Sequence, residues 1–440
     1  IYTFTAQNTS TTSNGLMLSK YSAAGALLAK AAIETSATPY YSHQMFFLSN
    51  GSICVFSNRS GTNTISFAIY DTNLTAIKSL TTIATAASEY SSACALAGGG
   101  FAVVFHPSAT PLLSQLCTYG NVGNVVLPAM TIWTRTGTSG VQYHQMAQLS
   151  DGNLVVTVGS ANTGSSIGLF HGVVTTSGVS VRPFANMDTT ARNSLHELSV
   201  MDGYYAVCAY CGTQQKAFVF ADSGTLQGSP FSATGGGGSP AIKLLNDGSN
   251  FFMIWPRGSD SKEVLTKIPV TGTGYITTDV TLAGTSQFNT GIDAFCERGL
   301  IVVVSQKGNT NTAPVLWVID TSTGNLISKS GTSFGVSPST YSGIYNRVVP
   351  GGDFSFVCLY DYTNTASTNL YIGKYANTAI MGVAKTSGAA GQLVSVTGES
   401  GGHAINKLAG HASVAFDHTA ATTTGNKGTL MNHGVTLKGI

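Results

Sequence analysis

A glycine-turned hairpin recurs seven times, a second strand pair follows each hairpin, and no stretch shows a 3.6-residue apolar period. Together these predict an all-β fold: a seven-bladed β-propeller of four-stranded antiparallel blades. The turn glycines are Gly51, Gly100, Gly152, Gly203, Gly248, Gly299 and Gly352, spaced 45 to 53 residues apart. In places the repeat is nearly literal. His43-Gln44-Met45 before one turn matches His144-Gln145-Met146 before another, and Leu48-Ser49-Asn50-Gly51 matches Leu149-Ser150-Asp151-Gly152.

Within each unit the two arms of the glycine hairpin are strands A and B. Apolar runs joined by a turn residue before glycine are the strongest short-range hairpin signal. Strands C and D follow: Ile65 to Tyr70 leads into Asp71, a turn and Ala76-Ile77, and Val315 to Ile319 leads into Asp320, a turn and Leu326-Ile327. One such sheet has two apolar faces and two open edges. Radial stacking buries the faces, and closing the ring protects most edges.

The N-terminal stretch from Leu16 to Leu28 reads as a C–D pair without its hairpin. It is expected to complete the last blade, which offers the hairpin 345–360 and a strand C at Leu370 to Tyr375. After about residue 378 the pattern changes to two short strands around a Gly/Ala turn and a Gly/Thr/His-rich tail. The expected division is therefore a propeller at 1–378 and a small C-terminal β module at 379–440, used for assembly or docking.

Composition excludes several function classes. Only 9% of the 440 residues are charged, against roughly a quarter in an average soluble protein. Lys plus Arg is 21 and Asp plus Glu is 19, so there is no basic excess of the kind nucleic acid demands. With 20 Phe and 18 Tyr the chain is not a disordered segment. No apolar run approaches the roughly 20 residues of a membrane helix, so no membrane insertion is expected. The first residues have neither a basic start nor an apolar block, so no signal peptide is read there, and Ile1 in place of Met leaves room for an upstream piece.

The seven cysteines read as buried thiols in strand-like runs rather than as a disulfide framework. Cys208-Ala-Tyr-Cys211 has metal-type spacing, but in a strand its two thiols point to opposite faces. No cofactor and no metal site is expected.

Strand order fixes what each end of the sheets presents. The A–B and C–D turns share one face and carry Asp71, Asp151, Asp202, Asp222, Asp247, Asp320 and Asp353, which read as turn chemistry. The B–C and D–A loops share the other face. The B–C loops carry Arg59, His106, Lys216, Arg257 and Lys307, and strand A begins there with His43, His144 and His196. These eight residues are the candidate binding set. They would form a basic face that holds an anionic glycan or docks on a partner, with the histidines at the channel mouth. The competing reading of the same loops is a solvated rim of mixed charge, since Asp260, Glu263 and Asp361 share them.

Catalytic residues are not evident. Glu197, Asp293 and Glu297 lie in or near strand A without forming the opposed carboxylate pair that glycoside hydrolysis needs. No nucleophile elbow, zinc-protease or phosphate-loop motif is present. The expectation is a protein that is not an enzyme.

Gly382-Val383-Ala384, Ala389-Ala390-Gly391 and Val394-Ser395-Val396, with the later Asn426-Lys427-Gly428 and Leu437-Lys438-Gly439, resemble a short β module recurrent in tail-fibre and other virion proteins of tailed bacteriophages. The resemblance spans about sixty residues of small side chains. It implies a non-enzymatic virion component, a tail fibre or baseplate protein that binds a host-surface glycan or other receptor. It also implies a homotrimer joined through the C-terminal module to other virion tail proteins. The alternatives are a secreted bacterial glycan-binding adhesin and a polysaccharide-degrading propeller enzyme.

Overall fold

The computed structural model describes residues 1–6, 16–22, 26–34, 40–59, 63–85, 91–107, 112–135, 141–160, 168–189, 191–234, 242–257, 262–280, 293–305, 315–325, 332–333, 347–352, 355–361, 368–374, 383–384, 394–397, 403–405, 411–415 and 436–439. Among them every regular element is a strand.

The chain opens with β1 (Tyr2–Ala6), β2 (Leu16–Tyr21) and β3 (Leu27–Glu34). The first four-stranded sheet is β4 (Tyr40–Phe47), β5 (Ile53–Arg59), β6 (Thr64–Tyr70) and β7 (Ala76–Ala84). The second is β8 (Ser92–Ala95), β9 (Phe101–Phe105), β10 (Leu113–Tyr119) and β11 (Val125–Thr134). The third is β12 (Val141–Gln148), β13 (Leu154–Ser160), β14 (Leu169–Val174) and β15 (Ser180–Asp188). The fourth is β16 (Ala191–Met201), β17 (Tyr204–Cys211), β18 (Gln214–Ala221) and β19 (Phe231–Thr234). The fifth is β20 (Lys243–Asn246), β21 (Asn250–Arg257), β22 (Lys262–Pro269) and β23 (Ile276–Val280). The sixth is β24 (Asp293–Glu297), β25 (Leu300–Ser305), β26 (Val315–Asp320) and β27 (Thr332–Ser333). A three-stranded sheet follows, β28 (Arg347–Gly352), β29 (Ser355–Asp361) and β30 (Thr368–Lys374). The C-terminal segment holds β31 (Val383–Ala384), β32 (Val394–Thr397) and β33 (His403–Ile405) in one sheet, and β34 (His411–Ala415) with β35 (Thr436–Gly439) in another.

The seven hairpin units read from the repeat are thus all present between β4 and β30, six with four strands and the last with three. Strands run in sequence order within each sheet and pair antiparallel, which is the meander of a β-propeller blade. Middle strands are buried on both faces, as β5 and β6 show. The outer β7, β11 and β15 alternate between exposed and half-buried positions. Pro128 and Pro183 sit in those outer strands, where a missing ladder N–H costs least.

β2 pairs with β1 on one side and β3 on the other, and these three strands form one sheet. Phe4, Leu16 and Leu18 pack with Ile53, Val55 and Ala68 of the first four-stranded sheet. The sequence reading missed β1. By its internal contacts the chain divides into two compact units, Ile1–Asp279 and Val280–Ile440.

In the first unit successive sheets pack face to face through large side chains. Phe67, Phe101 and Tyr119 meet at 4.8–5.1 Å between ring centroids where the first and second sheets join. Trp133 stacks on Phe184 at 4.8 Å between the second and third. Tyr205 and Phe220 of the fourth sheet stack at 5.1 Å and pack with Leu149, Val155, Leu169 and Val173 of the third. Burying a side chain of this size contributes about 2–3 kcal/mol.

Polar side chains then lock one sheet to the next. The Gln44 side-chain oxygen accepts the Ala93 N–H at 2.8 Å, and that of Gln145 accepts the Leu198 N–H at 2.9 Å while its amide donates to the His196 carbonyl. This is the physical content of the repeated His-Gln-Met. In the second unit a carboxylate takes the same role, Asp293 accepting the Val348 N–H at 2.9 Å. At the turn end, Ser49 meets Asn121 and Ser150 donates to Asp222 at 2.6 Å. Gly100 needs to be glycine twice over: its φ is +80°, and a Cβ there would stand 1.9 Å from the Tyr119 carbonyl oxygen.

Candidate functional site

Described residues of the candidate set all lie at the B–C/D–A end of the sheets, but they do not form a free basic face. Arg59, at the end of β5, is ion-paired with Glu34 at the end of β3. Lys216 on β18 donates to Asp188 at 2.6 Å, which closes the third sheet onto the fourth. Arg257 grips Asp279 with two parallel bonds of 2.7 and 2.8 Å, a fork-on-carboxylate geometry that neutralises both charges. Lys307 lies outside the described residues. Acids distant in sequence thus meet these bases in space, and the expected attraction for polyanions is cancelled locally.

The strand-A histidines are not at an open channel mouth. His144 is 4% and His196 2% exposed. His144 Nε2 lies 2.9 Å from Ser114 Oγ of the preceding sheet, and His196 Nε2 lies 2.7 Å from Thr157 Oγ1 of the preceding sheet. Both are joints between sheets. His43 has its backbone in β4, and its side chain lies outside the described residues. His106 follows β9 directly and is 5% exposed, with its ring centroid 5.8 Å from that of His144. Burial lowers its pKa from 6.5 to about 4, so the imidazole is neutral at pH 7. His171 was not singled out in the sequence. It is also buried, its Nδ1 lies 2.7 Å from the Tyr205 hydroxyl, and its pKa falls to about 4 through burial and the nearby Arg182.

Other sequence readings are settled by their contacts. Asp71, Asp151, Asp247 and Asp320 accept backbone N–H groups of their own turns. Asp222 departs from that pattern by bonding Ser150 across sheets. Glu197 pairs with Lys243 at 3.6 Å and Glu297 with Arg298 at 3.8 Å. Cys208 faces the fifth sheet and Cys211 the third, as alternation requires, and desolvation raises both thiols, Cys211 to about 12. Among the described residues no group of three or more His, Cys, Asp or Glu gathers as a metal site. No helix is long and apolar enough to cross a membrane.

What the sequence did not reveal is a set of buried polar atoms without a hydrogen-bond partner among the described residues. They include Arg59 Nε, Ser91 Oγ, His106 Nδ1 and both amide atoms of Gln215 at the B–C/D–A end, at strand ends or just beyond them, and Asp222 Oδ1 at the turn end. Gln215 is fully buried. Such groups each cost about 1–3 kcal/mol when nothing answers them, so they cluster where a water or ligand does. Arg59 and His106 belong to the candidate set, whereas no sequence signal marks Ser91 or Gln215, since an isolated Ser or Gln at a strand end is ordinary.

No protein-family model matches the sequence, and no curated protein matches it. Solved structures match its fold. The Dos1 propeller superposes with a TM-score of 0.51 at 11% identity, over 82% of this chain and 88% of the other. The Pseudomonas aeruginosa periplasmic gluconolactonase gives 0.46 at 11% identity, over 84% and 98%. The six-bladed Aleuria aurantia lectin gives 0.37 at 14% identity, over 68% and 93%. The chain is a β-propeller, a class whose members include binders and catalysts. The expectation that it is not an enzyme is therefore withdrawn: enzymes, the gluconolactonase among them, stand among its structural neighbours.

Proposed function

We propose that the chain is a binding propeller that holds a hydroxyl-rich, uncharged surface glycan at the loop end of its sheets, as a tail-fibre or baseplate component of a virion. The observation that carries the binding reading is the buried, unanswered polarity of Ser91, His106 and Gln215 at that one end. Hydroxyl groups both donate and accept, which is what a primary amide and a neutral imidazole call for. The pairing of Arg59, Lys216 and Arg257 with acids argues against a polyanion. The virion role rests on the C-terminal resemblance and on the charge-poor, Gly-rich composition.

The test is a glycan array followed by calorimetric titration of any sugar that binds. Gln215→Leu keeps the volume and removes the amide, so affinity should fall by about tenfold or more. Raising NaCl from about 50 to about 500 mM should change Kd by less than about twofold, since no net charge is being screened. Full affinity in the Gln215→Leu protein would overturn the site, and steep salt dependence would overturn the uncharged ligand.

A further inference from the structure

We propose that the seam between the second and third sheets is an acid-sensitive joint that opens at the loop end, independently of whichever ligand binds there. The geometry sets this seam apart from its neighbours. First to second and third to fourth, the inner strands are tied at the loop end by Gln44 and Gln145. Counted back from the turn leucines Leu48, Leu96 and Leu149, the same position in the second sheet is Ser92, whose side chain is too short for the span. The seam is fastened at its turn end, where Gln148 accepts the Ala97 N–H at 2.6 Å. At its loop end the His144–Ser114 bond crosses it.

Arg135 over the Phe170 ring and Trp133 against Phe170 also cross it there, and His106 is buried at that end, where Ser92 takes the glutamine position. Its position is that of Gly159 in the third sheet, so a ring stands where another seam has no side chain. Among the described residues its Nδ1 has no partner, and its ring lies 5.8 Å from that of His144. The titratable and charged groups on the elements around it are Cys94 of β8, Cys117 and Tyr119 of β10, Arg135 after β11, Tyr143 and His144 of β12, His171 of β14, and Arg182 and Asp188 of β15. Of these only Asp188 is a carboxylate, and it is paired with Lys216; the sequence holds no Asp or Glu between Glu89 and Asp151. An imidazolium formed here meets burial and a second imidazole, and no counter-charge on its own or the adjoining inner strand. An open seam that returns His106 to water restores its ordinary titration near 6.5, against about 4 when closed. Opening is then favoured by about 20- to 30-fold on going from pH 7 to pH 5.

Hydrogen exchange of the full chain, read by mass spectrometry at pH 7, 6 and 5 and corrected for intrinsic rates, tests the proposal. Protection of β9, β10 and the first half of β12 should fall about 20- to 30-fold, while β21 and β22, in a sheet without histidine, change far less. His106→Asn removes the titration and should abolish the difference. Equal loss of protection in all sheets, no loss in the second and third, or an unchanged pH response in His106→Asn would each overturn it. Should His106→Asn not fold, the contrast between β9 and β21 in the unmodified chain still decides.

Discussion

At the scale of single residues, burial and pairing decide chemistry more than residue type does. Arg59, Lys216 and Arg257 carry full charges, yet each meets a carboxylate supplied by another strand. Histidine gives the clearest consequence. His106 and His171 have pKa values lowered to about 4, chiefly by desolvation. Below about pH 6.5 the unfolded chain takes up protons that these sites refuse, so stability falls between pH 6.5 and 4 and the loss levels off below. Each site contributes on the order of 3 kcal/mol across that window. The urea midpoint should drop accordingly between pH 7 and pH 4.5, and His171→Phe should remove its share of the slope. A midpoint independent of pH over that range would contradict the burial of these rings.

At the scale of elements, the repeat encodes both a sheet and its fastening to the next sheet. Aromatic stacking supplies the non-directional part of the joint, and the inner-strand glutamines supply register. Gln145 makes two bonds across its seam and Gln44 one. Gln145→Ala should therefore cost about 1–3 kcal/mol, and more than Gln44→Ala, because truncation leaves the Leu198 N–H and the His196 carbonyl unanswered in a half-buried seam. Denaturant titration of the two variants checks the order; a reversed ranking would show that the seam is held by packing alone.

At the scale of the whole molecule, the proposed virion role predicts a homotrimer assembled through the C-terminal segment. The native mass of the full chain should be three times that of one chain, and a chain ending at residue 378 should run as a monomer. A full-length monomer would remove the trimer and shift weight to a secreted glycan-binding propeller. Either result leaves the loop-end site open to its own test, since that site lies within residues 1–279.

The sequence by itself determined the architecture, because a strand's apolar alternation and a turn's glycine are local properties written in consecutive residues. Seven hairpin units, their A-to-D order and the turn role of Asp71, Asp151, Asp247 and Asp320 were all legible for that reason. The candidate site was legible only in location. Its residues do gather at one end of the sheets, since strand direction places them there. Which bases are neutralised, which histidines are buried and which amide lacks a partner depended on side chains brought together from different sheets. Glu34 reaches Arg59, Asp188 reaches Lys216 and Ser114 reaches His144 only once the sheets stack. That meeting is a property of tertiary packing, and no spacing along the chain records it.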